Sequence, residues 1–258
     1  MKNIDCLRGI VTKFEPSNSH HRRFFSLVDT PECLATTFNR SSWIANNPQG
    51  LDGVLSPHQK IVVTTTEEDK FIAKRDVDDE IKRLVKGLFD IYIPSDQPVY
   101  EDMDDRKQFR RIDRCMRDTL EVADGAESLG LETKIVPLAK GWKRWHFELC
   151  RHTFEKLGTS CCAFDVTQYN SMNQILEDLD LLIETVRLPS ILLIGRLSPR
   201  DLKRCPPEVI AAAGFTNWFY NSRLPNGSLS PTFFREWHRS AERALLSSQM
   251  RLEQFGLQ

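Results

Sequence analysis

Four short apolar runs in this chain each end in residues able to do polar chemistry. Phe89-Asp90-Ile91-Tyr92-Ile93 places apolar side chains at period two, stops at Pro94 and then presents Ser95 and Asp96. Lys134-Ile135-Val136-Pro137-Leu138 runs into Ala139, Lys140 and Gly141. Ser160-Cys161-Cys162-Ala163-Phe164 runs into Asp165, and Ser190-Ile191-Leu192-Leu193-Ile194 into Gly195 and Arg196. A carboxylate can accept paired N–H donors from a purine-like ring, and it can attack an electrophilic carbon, so Asp96 and Asp165 are the candidate catalytic residues. Lys140 and Arg196 can neutralise phosphate, with Lys143, Arg144 and Arg200 just behind them as further phosphate contacts. The competing assignments are structural: Asp165 as a helix cap, Arg196 in an ion pair, and Trp142, Trp145 and Trp218 as core packing rather than stacking platforms.

These residues meet only if the strands run parallel. Each run is followed by a helical pattern, at roughly 104–129, 142–157 and 172–186, and by a short helix opened by Ser198-Pro199. Strands alternating with helices imply parallel pairing through right-handed crossovers, which gathers the trailing polar residues on one rim. Lys60-Ile61-Val62-Val63-Thr64 is a further strand, followed by a helix that Asp76 can cap. The clear units occupy 60–213. Residues 1–59 read as irregular: a strand within 4–14, a polar loop at 17–23, strands at 24–28 and 33–38, and mostly loop over 39–58. Cys205-Pro206-Pro207-Glu208 suggests a second short helix reaching Ala213, Phe215–Tyr220 a strand or tight loop, and 230–254 a final amphipathic helix. The expected architecture is a single α/β domain, a (β/α) TIM-type barrel irregular or incomplete at its N-terminus, with a doubly wound open sheet as the alternative.

Bulk composition narrows the partners. The formal net charge is -1, so no global field draws the chain to nucleic acid or membrane, and any such contact needs local clustering of Lys and Arg. No apolar run is long enough to span a bilayer, and the first residues lack a signal-peptide core. Seven cysteines, an odd number without an export signal, suggest reduced thiols and a cytoplasmic setting. No cofactor fingerprint and no metal-ligand spacing is present, so neither a cofactor nor a metal is expected.

Three stretches then carry a resemblance. Asp96-Gln97-Pro98-Val99-Tyr100, Pro137-Leu138-Ala139-Lys140-Gly141 and Leu193-Ile194-Gly195-Arg196-Leu197-Ser198-Pro199-Arg200-Asp201-Leu202 occur in an order that resembles the tRNA-guanine transglycosylase superfamily, including its branch that puts 7-deazaguanine bases into DNA. That family has an Asp followed by Pro-Tyr, then Val-Gln-Gly, then Leu-Met-Gly-Val-Gly with Pro and Asp-Leu beyond. The likeness covers roughly 60–245, and Phe233 to His238 resembles the family's closing His-bearing helix. It implies a barrel enzyme exchanging guanine or 7-deazaguanine in DNA or tRNA. Asp96 would recognise the base, Lys140 and Gly141 would line its pocket, and Gly195, Arg196, Asn217 and Trp218 would complete the substrate contacts. It further implies nucleic acid and a modified guanine base as partners, with a second copy or a partner protein possible.

The departures from the family are specific. Where it carries its nucleophilic Asp, this chain reads Ala213-Gly214-Phe215-Thr216-Asn217-Trp218, and an amide is a poor nucleophile. Where it has Asp-Ser-Gly-Gly, this chain reads Thr64-Thr65-Thr66-Glu67-Glu68, and its zinc-binding cysteine cluster is missing. Either Asp96 or Asp165 has taken over the attack, or the chain is a non-catalytic nucleic-acid-binding or partner subunit. An unrelated barrel enzyme for a phosphorylated metabolite is the third reading.

Overall fold

The computed structural model describes residues 7–28, 31–53 and 55–254. Its strands are Gly9–Lys13 (β1), Cys33–Thr37 (β2), Lys60–Thr64 (β3), Ile91–Ile93 (β4), Lys134–Ile135 (β5), Leu138–Ala139 (β6), Cys161–Asp165 (β7), Ser190–Ile194 (β8) and Val209–Gly214 (β9). Every pairing is parallel, in the order β5-β4-β3-β2-β1-β9-β8-β7-β6. The two ends of that order are halves of one short segment, interrupted at Pro137, which has no N–H to give a ladder. Val136 N donates to Tyr92 O at 2.9 Å on the β4 side, and Pro137 O accepts from Ala163 N at 2.8 Å on the β7 side.

The helices are Ser19–Ser26 (α1), Phe38–Ala45 (α2), Asp69–Ile72 (α3), Val77–Gly87 (α4), Asp105–Ser128 (α5), Arg144–Leu157 (α6), Met172–Val186 (α7), Pro199–Leu202 (α8), Thr216–Asn221 (α9) and Pro231–Gln254 (α10). Period-two alternation sorts the strand side chains into two apolar layers. One face gathers Val11, Ala35, Val62, Ile93, Leu138 and Leu192 into a cluster made almost wholly of strand residues. The other face (Ile10, Leu34, Val63, Cys162, Leu193) packs with Ile112, Phe147, Leu179 and Leu245 of the helices. Adjacent Cys161 and Cys162 fall in opposite layers, both buried, as a strand requires. Each fully buried aliphatic side chain here contributes on the order of 1.5–3 kcal/mol of apolar transfer energy, so alternation along the strands is the main determinant of this architecture.

Several expected boundaries are met. Asp76 Oδ1 accepts from Asp79 N at 2.9 Å to cap α4, α7 runs from Met172 to Val186, and Ser198 Oγ accepts from Asp201 N at 3.2 Å ahead of Pro199. Others are corrected. Phe24 and Phe25 lie on helix α1, not on a strand, because Asn18 Oδ1 caps His20 N at 2.9 Å and both rings pack on Trp218 and Phe234. The 39–58 region holds most of α2 and a 3₁₀ turn, Gly50–Gly53. The expected helix ending at Ala213 is instead strand β9: its alanines fit tightly between β1 and β8 and all its residues are buried. Phe215–Tyr220 is largely helix α9. The N-terminal third therefore supplies regular strand–helix units, β1–α1 and β2–α2, rather than an irregular lead-in.

Candidate functional site

A cavity of about 560 Å³ opens at the carboxyl ends of the strands. Its wall is built by Lys13 at the end of β1, Glu67 after β3, Asp96 and Tyr100 after β4, Lys140 to Trp142 after β6, and Asp165 at the end of β7 with Thr167 to Tyr169 beyond it. A larger cavity, about 890 Å³, lies at the opposite end, between residues such as Arg8, Glu32, Lys60 and Asp90. In parallel α/β sheets the ligand end is the carboxyl end, where loops from successive strands converge, so the smaller cavity is the candidate site.

Asp96 is buried, and Lys140 Nζ lies 2.7 Å from its Oδ1. Its backbone is fixed on both sides: its N donates to Thr65 Oγ1 at 2.9 Å, and Arg75 donates to its carbonyl at 3.4 Å. The preceding Ser95 holds a left-handed φ of 59°, a conformation sustained by Ser95 N donating to the Glu80 carboxylate at 3.1 Å. Arg75 joins Glu80 at 3.0 Å and Glu67 at 3.5 Å, all three side chains being buried. This lattice clamps the ends of β3 and β4 together. Burial raises the Glu80 pKa to about 7 against the pull of Arg75.

Burial raises the Asp96 pKa above its ordinary value, with Lys140 pulling back. For Lys140 burial works against the charge, but Asp96 outweighs it and holds the ammonium above its ordinary range. Lys140 is therefore a cation at neutral pH, committed to one partner.

Gly141 has φ 98°, and a Cβ there would overlap the His146 ring, so only glycine fits. His146 Nδ1 accepts from Trp142 N at 3.1 Å and from Lys143 N at 3.3 Å, which leaves Nε2–H to donate to Gln108 Oε1 at 3.2 Å. Burial lowers its pKa to about 4, so the ring is neutral. His146 thus shapes the loop that carries Lys140.

Asp165 does not cap a helix; Ser171 Oγ does that for α7. Asp165 Oδ1 accepts from Thr167 N at 2.9 Å, closing a tight turn at the cavity wall. The site also contains Lys13, which the sequence reading did not single out. The run 4–14 shows no clean period, so the end of its strand was not located. Lys13 O accepts from Trp218 Nε1 at 2.9 Å, which anchors the residue. Burial lowers the Lys13 pKa, opposed by Asp165 and Glu67.

Asp96, Asp165, Lys140 and Gly141 come together on this wall, and Lys143, Arg144, Gly195, Arg196, Arg200, Asn217 and Trp218 do not. Arg196 donates to the Tyr169 carbonyl and supports the wall from behind, while Gly195, at φ 115°, lets β8 approach Thr167, where a Cβ would lie 3.0 Å from its N. Lys143 is paired with Asp105 at 2.7 Å, Arg144 with Glu184 at 2.9 Å, and Arg200 is exposed on α8. Trp218 is a core residue, fully buried among Phe24, Phe25, Phe215 and Phe234. Asn217 accepts from Trp237 Nε1 instead of facing the cavity. Trp142 lines the cavity, whereas Trp145 stacks on Phe109.

Six carboxylates line the cavity (Glu67, Glu68, Asp69, Asp96, Glu101 and Asp165) against two lysines, Lys13 and Lys140. That balance favours a neutral or cationic ligand rich in N–H or O–H donors over an anion. Among the described residues no group of His, Cys, Asp or Glu is arranged to hold a metal ion, and no helix is long and apolar enough to cross a membrane. Fold and site together define an α/β protein with an acidic cavity at the carboxyl ends of an all-parallel sheet. No protein-family model matches the chain, and no curated protein matches it.

Proposed function

We propose that this chain is a base-exchange transglycosylase-like enzyme acting on guanine or 7-deazaguanine within a nucleic acid, DNA or tRNA, and that its sheet is a closed TIM-type barrel. In the barrel reading, residues 134–139 act as one strand that bonds to β4 through its first half and to β7 through its second, completing the ring. The observation that carries the functional reading is that Asp96 and Asp165 line one cavity whose volume suits a heterocyclic base. Asp96, fixed beside Lys140, offers acceptor lone pairs to ring N–H groups. Asp165 attacks the glycosidic carbon. Its oxygen bonds to that carbon as the carbon–nitrogen bond breaks, and the outgoing base leaves with the electron pair and takes a proton. The incoming base then gives up its proton and displaces Asp165. The acidic wall keeps phosphates out of the cavity, so the sugar–phosphate backbone crosses the rim, where exposed Arg200 stands at a helix start on the same side of the sheet. Among the described residues, Cys33, Cys115, Cys150 and Cys205 are buried thiols, which suits a reducing, cytoplasmic setting.

Chromatography with mass detection of labelled guanine and 7-deazaguanine entering tRNA or duplex DNA tests this. Incorporation that Asp165→Asn abolishes supports it, and no incorporation in either substrate by folded protein refutes it. The position of Asn217 favours a second reading, a non-catalytic nucleic-acid-binding or partner subunit. It replaces the family's nucleophile and is turned toward Trp237. That subunit binds nucleic acid with a steep salt dependence and shows no turnover. The phosphorylated-metabolite reading is disfavoured by the same acidic wall.

A further inference from the structure

The two lysines of the cavity are held in opposite ways. Lys140 is spent on Asp96, at 2.7 Å. Lys13 lines the same cavity and has no ion pair or hydrogen bond through its amine among the described residues. Its backbone is fixed by Trp218 and by the β1 pairing with β2 and β9, so the side chain leaves a rigid strand end. The charged groups that act on it are Asp165 from β7, Glu67 from the loop after β3, and Arg40 from α2. An amine meant to hold an anion is kept charged by a partner, as Lys140 is. An unpartnered amine at a partly dry strand end, sharing its cavity with a carboxylate, is suited to bond formation.

We propose that Lys13 is a nucleophilic amine that captures an aldehyde or ketone ligand, uncharged or cationic, as an imine in this cavity. The neutral amine adds to the carbonyl carbon, forming a nitrogen–carbon bond as the C=O pair moves onto oxygen. Asp165 relays the proton lost by nitrogen to that oxygen. The nitrogen pair then expels the hydroxyl, which takes one further proton from solvent through Asp165 and leaves as water, so a protonated imine remains. The displacement of Lys13 toward its neutral form by burial supplies the free base this step needs. The acidic wall selects against a phosphorylated carbonyl compound. This capture stands apart from base exchange, since it requires no nucleic acid.

The experiment uses the full chain at pH 7 with glyceraldehyde and cyanoborohydride, followed by peptide mass spectrometry of every lysine. Because burial displaces Lys13 toward its free base, it is expected to be reductively alkylated several-fold faster than the average exposed lysine. Glyceraldehyde 3-phosphate is expected to label it several-fold more slowly. In Asp165→Asn the pH at which Lys13 begins to react with a small acylating reagent shifts down, because one of the two carboxylates holding its proton is gone. Labelling of Lys13 no faster than that of exposed lysines overturns the proposal, and this comparison within the wild-type chain needs no variant to fold. Equal rates for the two aldehydes overturn the assignment of ligand charge. Absence of base incorporation with Lys13 labelled as expected rejects base exchange alone.

Discussion

At the amino end of the sheet, Asp90 Oδ2 accepts from Ile61 N at 2.8 Å and Glu242 Oε1 from Ile10 N at 2.7 Å. At the carboxyl end, Asp96 is bound to Lys140 and, among the described residues, Asp165 only to the N–H of its own turn. The same functional group serves different purposes at the two places. Asp90 and Glu242 are absorbed into the backbone hydrogen bonding of the strand starts, whereas Asp96 and Asp165 line the cavity, one paired with a cation and the other closing a turn. The comparison predicts which substitutions damage the fold and which damage only the site.

The largest effect is expected where a buried charge loses its partner. Lys140→Met leaves Asp96 buried without its cation and is expected to cost about 3–5 kcal/mol in urea unfolding. Lys143→Met, which breaks an exposed pair with Asp105 of the same 2.7 Å length, is expected to leave the urea midpoint nearly unchanged, because solvent screens the pair. Equal costs would show that Asp96 is better solvated than its position implies.

Next is the acid response of the amino end. His238 is buried beside Glu242, 3.8 Å from its carboxylate, and burial lowers its pKa to about 4. The unfolded chain takes up this proton below about 6.5 and the folded chain only near 4, so the stability associated with neutral His238 is whole above pH 6.5 and is lost as pH falls through that window. Glu80, raised to about 7, works the other way: its burial penalty is relieved as pH falls from 7 toward 4.5. Comparing His238→Phe with wild type isolates the histidine, and the variant is expected to lose up to about 3 kcal/mol less between pH 7 and pH 4. Parallel losses in the two proteins would contradict the assignment.

How far this contrast could be read in advance depended on what kind of signal each residue gives. Asp96, Lys140 and Asp165 were legible because each follows a short apolar run that ends in polar residues, and parallel order then dictates a common rim. Lys13 was not, because the N-terminal run has no clean alternation and its strand end is set by pairing with β2 and β9 rather than by a local stop signal. Phe24 and Phe25 looked like strand residues because two adjacent aromatics carry no helical period, and the capping contact that fixes the helix comes from Asn18. Val209 to Gly214 looked helical because alanine favours helices, yet a close-packed central strand selects small side chains for space. Arg196 and Arg144 carried the right charge in the right order, but sequence order does not show that the Tyr169 carbonyl and Glu184 would occupy them first.

A smaller effect tests the amino end again. Asp90→Ala removes the acceptor from Ile61 N, which then relies on whatever solvent reaches the strand start, and is expected to cost about 2 kcal/mol with the urea dependence unchanged.

The smallest effect on stability belongs to Asp165→Asn. The amide keeps an oxygen in place to accept from Thr167 N, so the turn closes as before. What disappears is a negative charge that faces Lys13 across the cavity. Unfolding free energy is expected to change by no more than about 0.5 kcal/mol, while base exchange, if measured in the wild type, falls below detection. A loss of several kcal/mol would mean that Asp165 serves the fold in the way Asp90 does, and the division of labour between the two ends of the sheet would not hold. Retained stability with lost turnover would place Asp165 among residues kept at the carboxyl end for chemistry, since its charge contributes nothing the folded chain needs for itself.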